Sequence, residues 1–353
     1  MINIFGLATG LATCLLITLF VTDELGYDTF NEKGSRIFRL NTDIHISDNS
    51  FKSLSAPAPM AITLLNDYPG IEKVVRINNS GDMLVKKEKE NETIMEHGSA
   101  FADSTFFEIF TLPLIAGDPK TALKEPKSIV ISESMAKKYF GSTDVIGKSL
   151  LTSNVQPYKI TGVMKDMPSQ SHFHFHFLKA MSEMEDSKSS NWLGNNYTTY
   201  ILARPGINEK DIDGYLTAIV NKYIGPQVQS ILHSTLKELT AKGDYFKYAS
   251  IPLSKIHLYS NYPQEFEPNG NVQYVYIFII VAIFILLIAC VNFMNLSTAR
   301  SAGRSKEVGV RKALGSQRSN LILQFLSESV LTSFLSLVIA VALAALLLPY
   351  FNQ

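Results

Sequence analysis

Three long stretches without a charged residue constrain this chain more than any other feature. Ile2 to Val21, Tyr274 to Ala299 and Ser329 to Phe351 hold no Asp, Glu, Lys or Arg. Each is about the ~20 residues that carry a helix across a ~30 Å hydrocarbon layer. A helix buried in a soluble core can also be apolar on every face, but three at spanning length in one chain imply a multi-pass membrane protein. Tyr274 and Tyr276 at one end of the second run, and Tyr350 with Phe351 at one end of the third, suit the aromatic belt at a membrane surface. The first run reads as a span and not as a cleaved leader. No basic segment precedes it, and Cys14 lies inside it, followed by Leu15-Leu16-Ile17, instead of at its end.

Charge sets the orientation. Residues 300–320 carry Arg300, Arg304, Lys306, Arg311, Lys312 and Arg318 against the single acid Glu307. A short loop with that excess is cytoplasmic by the positive-inside rule. The block from Asp23 to Val272 holds 26 basic and 30 acidic residues and is assigned to the opposite side. The expected order is a first span (1–22), an extracytoplasmic domain (23–272) and a second span (273–299). A basic cytoplasmic segment (300–328) and a third span (329–351) follow. The whole chain balances 32 basic against 32 acidic residues, which argues against a nucleic-acid binder. Its two cysteines, Cys14 and Cys290, both fall within spans, which excludes a disulfide scaffold.

The large segment mixes strands and helices, which predicts an α+β domain, drawn here as two lobes. Phe38, Leu40, Ile44 and Ile46 alternate onto one face of a strand, and Lys127–Ile131 and Tyr158–Met164 are shorter strands. Pro59 opens a helix that Pro69 closes, Ser132 caps a second that ends at Gly141, and a third follows Asn208. Val228 to Leu239 repeats the helical spacing after Pro226. Met181 to Asn196, rich in Ser, Glu and Asn, is the expected surface segment between lobes. Lys86-Lys87-Glu88-Lys89-Glu90 reads as a solvated hairpin tip.

Few motifs carry chemistry. Gly141 to Ser149 has five residues between its first Gly and Gly-Lys-Ser, where a phosphate loop has four, and it follows a helix instead of a strand. It reads as a glycine-bounded turn. His172, His174 and His176 alternate with Phe173, Phe175 and Phe177. On a strand the imidazoles would share one face, and three ligands spread over about 13 Å cannot all reach one ion without a bend. They are weak metal candidates, and the expected arrangement is Phe inward and His outward. No G-x-S-x-G or H-E-x-x-H is present.

The basic segment says more. Ser301 to Leu314 lacks proline, places Glu307 four residues before Arg311 and ends at Gly315, which predicts a short capped helix. Val308, Ala313 and Leu314 are available for packing, and Ser316 can cap a helix that runs on into the third span. Anchoring to anionic lipid needs charge alone. A capped helix with an apolar edge points to a docking surface for a cytoplasmic protein, formed by Arg304, Lys306, Glu307, Val308, Arg311 and Lys312.

Cys290-Val-Asn-Phe-Met-Asn-Leu-Ser-Thr-Ala-Arg300, Lys306-Glu-Val-Gly-Val-Arg-Lys-Ala-Leu-Gly315 and Gln324-Phe-Leu-Ser-Glu-Ser329 resemble the FtsX-like, MacB-like permease family of ABC transport systems. So do Ser35–Leu40, Ala102–Phe107, Gly162–Asp166 and Pro252–Leu258, which look like its periplasmic core domain. The resemblance implies a non-enzymatic permease subunit without cofactors of its own. ATP would be bound by a separate cytoplasmic ATPase that docks on the basic helix. It implies a bacterial inner membrane, a periplasmic domain that changes shape, a second permease module or a homodimer, and contact with a periplasmic protein. The output would be efflux, lipoprotein release or mechanical transmission. The family module has four spans, so the FtsX-like part, 273–353, reads as incomplete. The competing class is a membrane receptor whose ectodomain binds a ligand, which predicts a cytoplasmic signalling domain where this chain returns to the membrane.

Overall fold

The computed structural model describes residues 2–87, 93–152, 156–303, 305–315 and 317–351. The chain runs α1 (Ile2–Leu25), β1 (Ile37–Ile46), β2 (Asn49–Ser53), β3 (Ala56–Pro57), α2 (Ala58–Asp67), β4 (Ile71–Lys87), β5 (Ile94–Ala102), α3 (Phe106–Ile109), β6 (Leu114–Gly117), β7 (Ser128–Ser132), α4 (Glu133–Phe140) and β8 (Ser149–Thr152). It continues through β9 (Gln156–Met164), β10 (Phe177–Ala180), β11 (Asn195–Ala203), α5 (Glu209–Ile219), α6 (Gly225–Leu232), α7 (Leu236–Ala241), β12 (Tyr245–Pro252), α8 (Leu253–Tyr259), α9 (Val272–Gly303), α10 (Ser305–Ala313) and α11 (Arg318–Phe351). Two compact units result: residues 1–26 with 271–353, and residues 27–270.

In the first unit α1, α9 and α11 are each long and apolar enough to cross a membrane. α1 packs against both of the others. Small residues permit this close approach, as expected where lipid supplies no hydrophobic drive between helices. A Cβ on Gly10 would stand 2.7 Å from that of Ala289. Ala8 and Ala12 are buried in α1, and Ser336, Ala340 and Ala344 form a buried stripe at four-residue spacing in α11. The Cys14 thiol donates to the Ala282 carbonyl at 3.2 Å, and Phe20 meets Phe278 edge-on at 5.1 Å. Thr9, Thr13, Thr18 and Thr22 return their hydroxyls to carbonyls four residues earlier, so these donors are satisfied within α1.

The second unit is built on one twelve-stranded sheet, ordered β12-β1-β11-β4-β5-β10-β7-β9-β6. β2 pairs with β1 and β3 with β11, while β8 pairs with both β4 and β9. That double pairing closes β4, β5, β10, β7, β9 and β8 into a ring. Met83, Val85, Ile129, Ile131, Leu150, Tyr158, Ile160, Val163 and Phe177, from strands around the ring, pack together as its filling. At the other end of the sheet α2, α5 and α6 cover Phe38, Leu40, Ile71 and Ile201. A third cluster, including Phe106, Phe110, Phe173, Phe175 and Tyr200, lies between α3, α8 and the middle of the sheet.

The two lobes expected from sequence are thus two ends of a continuous sheet. The segment 181–196 lies at the surface over most of its length, and Met181, Ser187 and Trp192 are buried in it. Helix signals performed well where a side chain caps. The Ser132 hydroxyl accepts from the Met135 amide and Gly141 closes α4 at φ +67°. Asn208 and Asp211 form a reciprocal capping box on α5. The helical run Val228–Leu239 is interrupted: His233 turns left-handed at φ 51°, and Thr235 with Glu238 caps a new helix, α7. The Thr-x-x-Glu spacing that starts α7 is visible in the sequence. Gly141 to Gly147 is a turn between α4 and β8. Lys86 and Lys87 end β4 and pair with β8, while residues 88–90 of the proposed hairpin tip lie outside the described residues.

Candidate functional site

The basic segment folds as α10. Helix α9 runs four residues further than the predicted span, to Gly303, so the short helix begins at Ser305 and not at Ser301. Arg304 and Ser316 lie outside the described residues. Arg311 pairs with Glu307 one turn earlier at 2.7 Å and donates to the Gln324 side-chain oxygen of α11 at 2.8 Å. The Leu314 and Gly315 amides close the helix on the carbonyls of Val310 and Lys312, with Gly315 at φ +89°, where a Cβ would be strained.

Exposure separates two faces of α10. Val308 and Arg311, three residues apart, are half-buried. Lys306, Val310 and Leu314, at four-residue spacing, face solvent, with Val310 59% and Leu314 82% exposed. Glu307 and Lys312 are exposed beside them. Of the predicted docking set, Arg311 ties α10 to α11 through Gln324, and Val308 is half-buried. Val310 and Leu314 form an apolar pair at the surface that the sequence reading missed or assigned to internal packing. The missed signal was spacing: Val310 lies midway between Lys306 and Leu314 on one stripe.

The three histidines do not form the expected strand, which starts only at Phe177. Phe173 and Phe175 point inward as predicted, but His172 is buried as well. Its Nδ1 lies 2.8 Å from an Asp28 carboxylate oxygen and its Nε2 2.7 Å from the Tyr200 hydroxyl. His174 meets Glu267 at 3.2 Å and the Pro168 carbonyl at 2.8 Å, while His176 meets the Ser132 hydroxyl at 3.2 Å. The three rings turn to three separate sets of partners. No group of three or more metal-ligating side chains comes together among the described residues.

A second feature hidden from sequence is Arg39. Alternation along β1 puts it on the face opposite Phe38 and Leu40, yet it is wholly buried. Its guanidinium grips both oxygens of Glu265, at 2.5 and 2.6 Å, and donates to Ser260 and Asn41. Burial opposes this charge, but the hydrogen bonds and charge of Glu265, with Tyr200, outweigh it and hold the Arg39 pKa above its ordinary value. Burial likewise pushes the Tyr200 phenol upward. On β10, Lys179 is buried with its ammonium 3.9 Å from the Phe101 ring centre. Burial lowers its pKa to about 8, against a weaker opposing pull from Glu183.

A sheet domain inserted between the first and second of three apolar helices, with a capped basic helix before the third, is the order of a permease that carries a large domain between membrane helices. The chain belongs to the family of the MacB-like periplasmic core domain, whose model matches residues 1–219, and an FtsX-like permease C-terminal model matches residues 279–353. The macrolide export ATP-binding/permease protein MacB of Neisseria meningitidis serogroup A is 24% identical over 257 residues, covering 70% of this chain and 35% of that protein. Its namesake in Psychrobacter arcticus is 25% identical over 228 residues, 64% of this chain and 30% of that protein. The chain therefore spans about a third of the length of these curated relatives. Among solved structures, a domain of a permease protein from Porphyromonas gingivalis matches with a TM-score of 0.50 and 25% identity, over 63% of this chain and 92% of that one.

Proposed function

We propose that this chain is the membrane subunit, or part of it, of an ABC transport system in the inner membrane of a bacterium. Its sheet domain stands in the periplasm and α10 stands in the cytoplasm. The chain carries no catalytic step itself: a cytoplasmic ATPase binds and hydrolyses ATP, and α10 receives the resulting movement. The observation that carries this reading is the outward stripe of α10. An exposed Val310–Leu314 pair flanked by Lys306 and Glu307 is costly to leave in water and is the size of one helix-in-groove contact. Lipid anchoring would favour basic residues there and not an apolar pair aimed away from the adjoining helix.

Arg311 supplies the link inward. A push on α10 reaches α11 through a two-partner guanidinium fork, and α11 is a continuous helix from Arg318 to Phe351. Relatives named for macrolide export favour efflux as the output, with lipoprotein release and mechanical transmission as the other members of the same class. A second permease module or a second copy completes the assembly, and a periplasmic protein meets the outer domain.

The test is affinity purification of the full-length protein from its own cells in mild detergent, followed by identification of any co-purifying nucleotide-binding ATPase. Co-purification that is lost on Val310→Asp with Leu314→Asp supports the reading. A folded protein that captures no ATPase, or captures it equally well as the double variant, contradicts it.

A further inference from the structure

The two segments that lead from the sheet domain towards the membrane helices are Tyr27–Asn31, just after α1, and Tyr262–Gly270, just before α9. Both are far apart in sequence, and both end in the same buried polar chain. From the first, Asp28 turns left-handed at φ 59° and is buried, its amide held by the Gln170 carbonyl at 2.8 Å. Its carboxylate meets His172, His172 meets Tyr200 on β11, and Tyr200 stands directly across from Arg39 in the antiparallel register of β1 and β11, both wholly buried. From the second, Glu265 takes both arms of Arg39.

Proton placement makes the chain directional. The positive Arg39 guanidinium is paired across from Tyr200, which turns the Tyr200 oxygen towards it and the hydroxyl proton towards His172 Nε2. His172 then carries its proton on Nδ1 and donates it to Asp28. Every link depends on its neighbour, and in a dry interior such a network is worth more than its separate pairs. The buried Asp28 Oδ2 has no partner, so that carboxylate leans on His172 alone for side-chain support.

We propose that Asp28, His172, Tyr200, Arg39 and Glu265 form a clasp that couples the two connecting segments, so that loosening either one loosens the other. Tyr200 is the joint: it joins the half held by Asp28 to the half held by Glu265. The use of such a clasp in carrying movement outward rests on the function proposed above. The coupling itself is tested without nucleotide or partner.

The experiment is hydrogen exchange on the full chain in lipid nanodiscs, comparing the unaltered protein, Asp28→Ala and Glu265→Ala, and each again with Tyr200→Phe. With Tyr200 intact, Asp28→Ala raises exchange roughly tenfold in residues 262–270 as well as in 27–31, and Glu265→Ala does the reverse. With Tyr200→Phe each change acts only on its own segment. Should Asp28→Ala fail to fold, Asp28→Asn, which keeps the shape and removes the charge, takes its place. Purely local effects with Tyr200 intact overturn the proposal, as do distant effects that persist in Tyr200→Phe. Either result leaves the ATPase-docking reading untouched.

Discussion

Arg311 in α10 donates a guanidinium N–H to the Gln324 side chain in α11 at 2.8 Å, across the turn between the two helices. The same guanidinium pairs with Glu307, so one residue fixes the pitch of the short helix and its angle to the long one. Being partly exposed, this link contributes little stability, about 1 kcal/mol or less. Its value is geometric. Arg311→Lys keeps a positive charge near Glu307 but loses the fork. We expect Arg311→Lys to leave the melting temperature unchanged within error while broadening the distance between spin labels placed on α10 and α11. An unchanged distance distribution would show that Arg311 does not set the angle.

Gly10 and Ala289 test the packing of α1 on α9. A Cβ at Gly10 would stand 2.7 Å from the Ala289 Cβ, closer than real Cβ atoms approach. Gly10→Val should lower thermal stability in detergent by about 1–3 kcal/mol of overpacking. Ala289→Gly in the same chain should recover most of the loss. A Gly10→Val protein that melts normally would mean that the two helices do not meet there.

Arg39 and Glu265 test the buried ion pair. Arg39→Met leaves a carboxylate buried without its partner and should destabilise the sheet domain by about 3–5 kcal/mol. Adding Glu265→Leu should restore much of this, because a well-packed apolar pair can replace a buried ionic one. Denaturant unfolding of the single and double variants measures the difference. Equal losses in both would place the cost in packing and not in charge.

Lys179 predicts a pH dependence. Its pKa falls from 10.5 to about 8 in the folded protein, chiefly through burial. Between those values the unfolded chain binds the proton that the folded one has released, so stability rises with pH. The clean window is about pH 8 to 9.5, below the range of ordinary tyrosines. We expect the unaltered protein to gain stability across this window and Lys179→Met to be more stable at pH 7 and flat across it. A parallel rise in both proteins would assign the effect to another group.

Much of the architecture was legible in the chain. Charge-free runs marked all three spanning helices, because hydrocarbon tolerates few charges on any face. Local caps at Ser132, Asn208 and Gly315 marked helix ends, because those side chains and backbones act within four residues. The rest depended on contacts distant in sequence. Arg39 looks like a solvated strand residue until Glu265, 226 positions later, is placed on it. His172 reads as one of three equivalent histidines until Asp28 and Tyr200 draw it inward. The ring closed by β8 rests on pairings with both β4 and β9, which no periodicity announces. In α10 the sequence supplied the charges of Lys306, Glu307 and Lys312. It did not show that Val308 and Arg311 turn inward while Val310 and Leu314 turn out, since that depends on how α10 rests against α9 and α11.

A cytoplasmic ATPase that acts through α10 should move the sheet domain. The most direct test is electron-spin distance measurement on the full-length protein in nanodiscs with its co-purified ATPase, with labels in the outer domain at Thr29 and Asn269, read with and without a non-hydrolysable ATP analogue. The account predicts a nucleotide-dependent change in distance that disappears in Val310→Asp, Leu314→Asp. A distance that ignores nucleotide while the ATPase remains bound, or a change that survives the double substitution, would contradict it.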